Sequence, residues 1–259
     1  MMKKLYKWDL IHYFGQLKWI FLGTLFVTIL SVVFDMLSEI NFVWAMFHQT
    51  AFIISIVGIL IGLAYAFFSI FQRYYHTILK DEAYFTHTLP LSKGKILLTK
   101  VLSGFTLFLL AIIVAVGLLV WIDVINVQQF LDLRQLDSNL FNMSILSIAS
   151  MVIMFFVSIV VIYAALSFGF SFNKREWLYV FVYFILYYVS NQILSMINFG
   201  INLLINPNLL AVDDTDPTAM FPALSGILII QLILSIGLGV VNYFIARYLM
   251  THKINLKNG

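Results

Sequence analysis

Residues Val101–Val120 are VLSGFTLFLLAIIVAVGLLV, twenty consecutive residues without a charged side chain. The hydrocarbon core of a bilayer is about 30 Å thick, and a helix of roughly 20 apolar residues crosses it. This stretch therefore predicts a membrane-spanning helix, and five similar segments accompany it. The six predicted spans cover about residues 19–37, 51–71, 101–122, 144–168, 177–205 and 223–249.

The composition of the chain is that of a polytopic membrane protein. Of 259 residues, 62% are hydrophobic and 10% are charged, against about 45–50% and about 25% in ordinary soluble proteins. So few charges leave no segment polar enough to be a separate soluble catalytic or nucleotide-binding domain. We therefore expect an all-α fold with a single six-helix transmembrane domain over residues 19–249, followed by a cytoplasmic tail at 250–259.

Basic residues divide the connections between the spans into two groups. Of the 15 Lys and Arg residues, 14 lie on one side of the predicted membrane, and Arg134 lies on the other. Because basic residues accumulate in cytoplasmic segments, both termini are predicted to be cytoplasmic. The charges are sorted by membrane side rather than gathered on one face, which argues against nucleic-acid binding.

Residues 1–18 are predicted to form an amphipathic helix in the membrane surface. An apolar stripe recurs at helical spacing, and a separate polar strip accompanies it. The stripe comprises Tyr6, Leu10, Tyr13, Phe14 and Leu17, and the strip comprises Asp9, His12 and Gln16. The alternative is that this segment merely extends the first span.

The longest connection on the basic side, residues 72–100, carries helical and turn signals of its own. Pro90 disfavours helical geometry at Leu89, and Ser92 is a suitable N-cap for a helix that leads into the third span. We therefore expect a structured loop here.

One face of the predicted fifth span is polar. Its members follow one another at steps of three or four residues: Tyr188, Asn191, Ser195, Asn198 and Asn202. Amide side chains in hydrocarbon are costly unless they find partners, so this face should contact protein or water. Two interpretations stay open: hydrogen bonding between helices, and the lining of a translocation route.

Motifs of catalysis and metal binding are absent from the sequence. There is no P-loop, no HExxH and no GxSxG, and there are no cysteines. The span interiors carry essentially no ionisable residue, which argues against a proton- or ion-coupled carrier. We expect neither an enzyme nor a cofactor or metal on this chain.

The segment DEAYFTHTLPLSKGKILLTK, Asp81 to Lys100, resembles the connection between the second and third spans in ABC transporter permeases of the type-2 exporter class. An acidic pair, an aromatic residue, a Leu-Pro step, a hydroxyl-basic pair and a final Thr-Lys match the family pattern. The matching positions are Asp81, Glu82, Tyr84, Leu89, Pro90, Leu91, Ser92, Lys93, Thr99 and Lys100. Lys7-Trp8-Asp9 similarly resembles the start of the surface helix in that family.

The resemblance implies a permease subunit of the bacterial plasma membrane that works with separate cytoplasmic ABC ATPase subunits, which bind the ATP and Mg²⁺. It makes the loop a coupling helix that docks on the ATPase through Asp81, Glu82, Tyr84, Phe85, Leu89 and Pro90. A second permease, identical or a sister chain, would complete the transporter, and the polar face of the fifth span would line the cargo route or contact that permease.

The resemblance implies export of a peptide, toxin, drug or lipid-linked polymer. The aromatic-rich, uncharged interior suits a hydrophobic or amphipathic cargo, with a peptide or toxin as the first expectation. Membrane lipid is the other expected partner. The alternative reading of the chain is a non-transporting membrane assembly or immunity subunit.

Overall fold

The computed structural model describes residues 1–80, 82–136, 138–172, 174–205 and 221–253, with the backbone alone described at 133–136 and 221–223. Within these ranges the secondary structure is helical and contains no strand. The helices are α1 (Met2–Ser38), α2 (Phe42–Tyr74), α3 (Ala83–Thr88), α4 (Lys93–Trp121), α5 (Val127–Leu136), α6 (Ser138–Gly169), α7 (Glu176–Ile205) and α8 (Phe221–His252), and a π-helical turn (Tyr75–Leu79) continues α2.

Six of these helices are long and apolar enough to cross a bilayer: α1, α2, α4, α6, α7 and α8. Each exceeds the roughly 20 residues that a span needs. Most of their surface is not covered by other residues of the chain, as expected of helices solvated by lipid. The predicted all-α fold with six spans is confirmed.

Residue contacts divide the chain into two compact units, and the single transmembrane domain expected over residues 19–249 stays a prediction. Unit 1 comprises Met1–Tyr74 and Leu98–Gln129, and unit 2 comprises Tyr75–Leu97 and Phe130–Gly259. The division cuts α2 from its π-helical turn and cuts α4 after its first turn. Hydropathy marks the spans but carries no information on which spans pack together, so the division has no signal in the sequence.

In unit 1, α1 packs along α2, and α4 completes a small core. Ile59, Ala115 and Leu118 are buried at its centre, against Leu25 and Leu63. Close approach depends on glycine, because a Cβ at Gly58 would lie 3.3 Å from both Thr24 Oγ1 and Thr24 Cγ2. Small residues at such crossings let helices in membranes pack tightly.

In unit 2, α6 is the central helix and packs against both α7 and α8. The side chains of Ile159, Tyr163 and Leu166 on α6 are fully buried. The turn into α7 is tight, because a Cβ at Gly169 would collide with the Val180 side chain and lie 2.7 Å from the Glu176 carbonyl oxygen. Gly169 therefore cannot be replaced without displacing the start of α7.

The N-terminal segment differs from the prediction in one respect. Residues 2–18 and the first span form one continuous helix, α1, rather than two helices. Of the predicted polar strip, His12 is exposed and Gln16 is half-buried, while Asp9 is fully buried. Whether the first turns of α1 lie in the membrane surface stays a prediction.

The connection after α4 contains a helix that hydropathy did not indicate. The ten residues of α5 follow Asn126, whose side-chain Oδ1 accepts a hydrogen bond from the Gln129 amide at 3.2 Å. An asparagine in this position caps a helix N-terminus. The helix is too short and too polar to register as a span.

Candidate functional site

The connection between α2 and α4 folds onto itself within unit 2. Ala83 and Thr86 on α3 are buried, and α3 packs against the π-helical turn. Leu89 ends α3 with φ −59° and ψ 137°, the extended geometry that Pro90 predicts. Helix α4 begins directly after Ser92, whose carbonyl oxygen accepts hydrogen bonds from the amides of Lys95 and Ile96. The predicted structured loop is confirmed; its coupling role stays a prediction.

The outer face of α3 presents aromatic rings that the chain leaves uncovered. Tyr84 is 67% exposed and Phe85 is 73% exposed, with their ring centroids 6.0 Å apart. Glu82 and Pro90 are also exposed, and Leu89 is half-buried. Asp81 lies outside the described residues. Five of the six predicted coupling residues thus lie in or beside one short helix.

His87 links α3 to the π-helical turn and to the start of α4 through hydrogen bonds. Its Nε2 donates a hydrogen bond to the Ile78 carbonyl oxygen at 3.1 Å. The Lys93 ammonium donates to His87 Nδ1 and, at 3.2 Å, to the His87 carbonyl oxygen. These bonds need a neutral imidazole with its proton on Nε2, since a protonated Nδ1 would face the ammonium group.

The pKa of His87 is lowered from its ordinary value of 6.5. Burial is the largest cause, and the positive charge of Lys93 lowers the pKa further, while the bond to Ile78 partly offsets both. The neutral form that the loop geometry needs is therefore the form that the surroundings favour.

The two ends of the loop are fixed to the helices of unit 2. Tyr243 on α8 donates its hydroxyl to the Gly94 carbonyl oxygen at 3.1 Å. At the other end, the ring of Tyr75 contacts Phe170 and Trp177, at centroid distances of 5.3 Å and 5.6 Å. The loop is thus held at Gly94 by α8, and at Tyr75 by Phe170, just after α6, and by Trp177 of α7.

The polar face of α7 separates into two parts. Asn198 and Asn202 are buried, at 3% and 1% exposure, whereas Tyr188 is 68% exposed. Asn191 and Ser195 lie between these extremes and are half-buried. The predicted stripe is thus a surface feature at one end and an interior feature at the other.

The buried asparagines form an amide cluster with α8. Asn198 Nδ2 donates to the Ile227 carbonyl oxygen and to Gln231 Oε1, both at 3.1 Å. Asn202 Nδ2 in turn donates to Asn198 Oδ1 at 2.8 Å. The bonds to α8 favour the interhelical interpretation for Asn198, whereas the bond of Asn202 lies within α7; a route-lining role for the whole stripe stays a prediction.

A buried charge cluster in unit 1 went unrecognised in the sequence. Lys100 Nζ donates to Asp9 Oδ1 at 2.7 Å, and Arg73 Nε donates to the same oxygen at 3.1 Å. Asp9 is fully buried and Lys100 is 1% exposed. The cluster joins three helices, α1, α2 and α4, close to one end of each uncharged stretch.

The sequence contained hints of this cluster, but it did not show that the charged residues contact one another. Asp9 and Lys100 belong to the two segments that carry the family resemblance, but nothing in a single sequence indicates that they meet. The spacing of Asp9 to Tyr13 and Leu17, in steps of four, places Asp9 on the buried stripe of α1.

Among the described residues, no group of three or more His, Asp or Glu side chains could hold a metal ion. In comparisons with known proteins, no family model, no curated protein and no solved structure matches the chain.

Proposed function

We propose that this chain is the transmembrane permease subunit of an ATP-driven ABC exporter in the bacterial plasma membrane. Both termini and α3 face the cytoplasm, where a separate ATPase subunit binds ATP and Mg²⁺. A second permease, identical or a sister chain, pairs with it. The cargo is hydrophobic or amphipathic, with a peptide or toxin as the first candidate.

The observation that carries this proposal is the uncovered aromatic pair on α3. Exposed aromatic rings beside a carboxylate are the residue types that anchor protein interfaces. Tyr84 and Phe85 lie on the basic side of the predicted membrane, where water rather than lipid would meet them. Leaving both rings in water is unfavourable, so a protein partner that covers them gains free energy by apolar burial.

The anchoring of the loop supports a mechanical role. A movement of the ATPase that displaces α3 would act through His87 and Ile78 on the π-helical turn, and through Gly94 on Tyr243 of α8. Rigid-body shifts of packed helices are a common way to convert such a displacement into a conformational change. The permease itself carries out no chemistry in this scheme.

The test is a double substitution on the outer face of α3. Glu82→Lys with Tyr84→Ala reverses a charge and removes an anchor ring while leaving the buried residues of α3 untouched. We expect the variant to accumulate and insert normally but to lose ATPase co-purification and export together.

A matched control is Thr88→Ala, because Thr88 is exposed on the same helix and its hydroxyl donates a hydrogen bond locally, to the Phe85 carbonyl oxygen. It should keep both complex and export. Export and co-purification that survive the Glu82→Lys, Tyr84→Ala change would refute docking through α3 and favour a non-transporting subunit.

A further inference from the structure

A groove runs along unit 1 between α1 and α4, and we call it the α1–α4 groove. It extends from Phe14 and Leu107 at one end to Leu25 and Leu118 at the other, and its volume is about 370 Å³. Every lining side chain except Lys18 is apolar. Because both helices are candidate membrane spans, the groove opens onto lipid chains rather than water.

Lys18 supplies the one charge on the rim of the α1–α4 groove. It is exposed, and the next charged residue along α1 is Asp35, so Lys18 marks the end of the uncharged stretch. Its neighbour Trp19 is 71% exposed, and Lys18 Nζ lies 5.3 Å from the Trp19 ring centroid. Tryptophan prefers the headgroup level of a bilayer, which places the ammonium group at that level as well.

Other basic residues of α1 lie too far from Lys18 to take its place. Lys3, Lys4 and Lys7 are exposed on the same helix, but even Lys7 is about 16 Å away along the helix axis. The single carboxylate nearby in sequence, Asp9, is bonded to both Lys100 and Arg73 and so contributes no net negative charge. Lys18 would therefore attract an anionic group at the rim, and the Asp9 carboxylate would not compete for it.

We propose that the α1–α4 groove binds one acyl chain of an anionic phospholipid, whose phosphate pairs with Lys18. The apolar lining accommodates the chain, and the ammonium group at the headgroup level selects negative charge. A zwitterionic lipid would gain the same apolar contacts but would lack the net charge. All residues that line the groove come from one chain, so lipid binding needs neither transport activity nor a second subunit.

The proposal is tested by native mass spectrometry of the full chain, released from micelles that contain equal amounts of phosphatidylglycerol and phosphatidylcholine. The wild-type chain should retain phosphatidylglycerol preferentially. Lys18→Gln should reduce that preference about fivefold, the change expected for one basic residue at an anionic surface. Lys4→Gln removes the same charge from outside the groove and should leave the preference near its wild-type value.

A second variant tests the groove itself. Val114 lines it and is 43% exposed, so Val114→Phe should fill the space without disturbing the core and should reduce retention of both lipids. The matched control is Ile113→Phe, since Ile113 is 65% exposed on the same helix and does not line the groove.

Three outcomes would overturn the proposal. Equal retention of the two lipids would remove the charge selection, and equal effects of Lys18→Gln and Lys4→Gln would reduce it to a general surface charge. A lipid-free dimer that Val114→Phe dissociates would show instead that a second copy of the chain covers the groove.

Discussion

Asp9 accepts hydrogen bonds from two cations, one of them as deeply buried as itself. An ion pair out of water contributes little net stability compared with apolar packing, but breaking it leaves an uncompensated charge that is expensive. The cluster is therefore a condition for α1, α2 and α4 to pack together rather than a large source of stability. It ties the first turns of α1, near the N-terminus, to two spans far away in sequence.

We predict that Asp9→Asn destabilises the chain by about 3–5 kcal/mol, the cost of stranding a buried charge. The double variant Asp9→Asn, Lys100→Met should recover part of this loss, because it also removes the stranded ammonium group. Thermal unfolding in detergent measures both. A loss below about 1 kcal/mol, the size typical of exposed pairs, would contradict the burial of the cluster.

His87 makes the loop sensitive to acid. Its pKa is lowered when the loop is folded, so protonation favours the open loop, in which the imidazole recovers its ordinary pKa near 6.5. Stability of the loop is complete above that value and declines as the pH falls below it. The protonated ring would also direct a second N–H at the Lys93 ammonium group.

We predict faster amide hydrogen exchange in residues 82–89 at pH 5.5 than at pH 7.5, after correction for the intrinsic exchange rate. His87→Gln should remove most of this difference, whereas the exposed His252→Gln should keep it. A wild-type chain without any pH difference in this segment would rule out the neutral-imidazole arrangement.

At the scale of elements, α7 shows what a periodic polar pattern can and cannot predict about helix contacts. Five polar residues on one helical face predicted contact with protein or water; Asn198 does bond to α8, and Asn202 bonds to Asn198 within α7. The pattern could not indicate that Tyr188, on the same stripe, lies uncovered. Periodicity identifies a face, but only the packing of neighbouring helices decides which part of that face is buried.

The amide cluster gives a prediction for α7. Asn198→Leu removes the bonds to Ile227 and Gln231, and because hydrogen bonds between membrane helices average about 0.6 kcal/mol, we expect a loss of roughly 1–2 kcal/mol in unfolding free energy. Ile197→Leu, one position off the stripe, should cost much less.

Export assays separate the two interpretations of this face. Packing alone predicts that Asn198→Leu reduces stability and leaves cargo preference unchanged. A changed cargo preference at normal protein level would contradict the packing interpretation and support a route lining.

At the scale of the whole molecule, the bilayer determined what could be predicted. A span needs about 20 apolar residues with every backbone group bonded within the helix, so hydropathy alone located six helices. The pairing of Asp9 with Lys100 depends on contacts 91 residues apart, and such contacts leave no local pattern in one sequence. Hydropathy also missed α5, because this helix is short and polar and does not cross the bilayer.

The proposed role of α3 depends on the orientation of the whole chain in the membrane. If the basic side is cytoplasmic, Tyr84 and Phe85 are available to a soluble ATPase; if it is not, the proposed docking is impossible. A crosslink at Phe85 therefore tests both the orientation of the chain and the docking of α3.

The most direct test replaces Phe85 with the photo-crosslinking amino acid p-benzoylphenylalanine in living cells. We predict a crosslinked product that contains this chain and a cytoplasmic protein with a Walker A motif. The same replacement at Ile113, which is exposed within a membrane span, should give no such product. Crosslinking at Phe85 to lipid alone, or to the same partners as at Ile113, would contradict the proposed coupling to an ATPase.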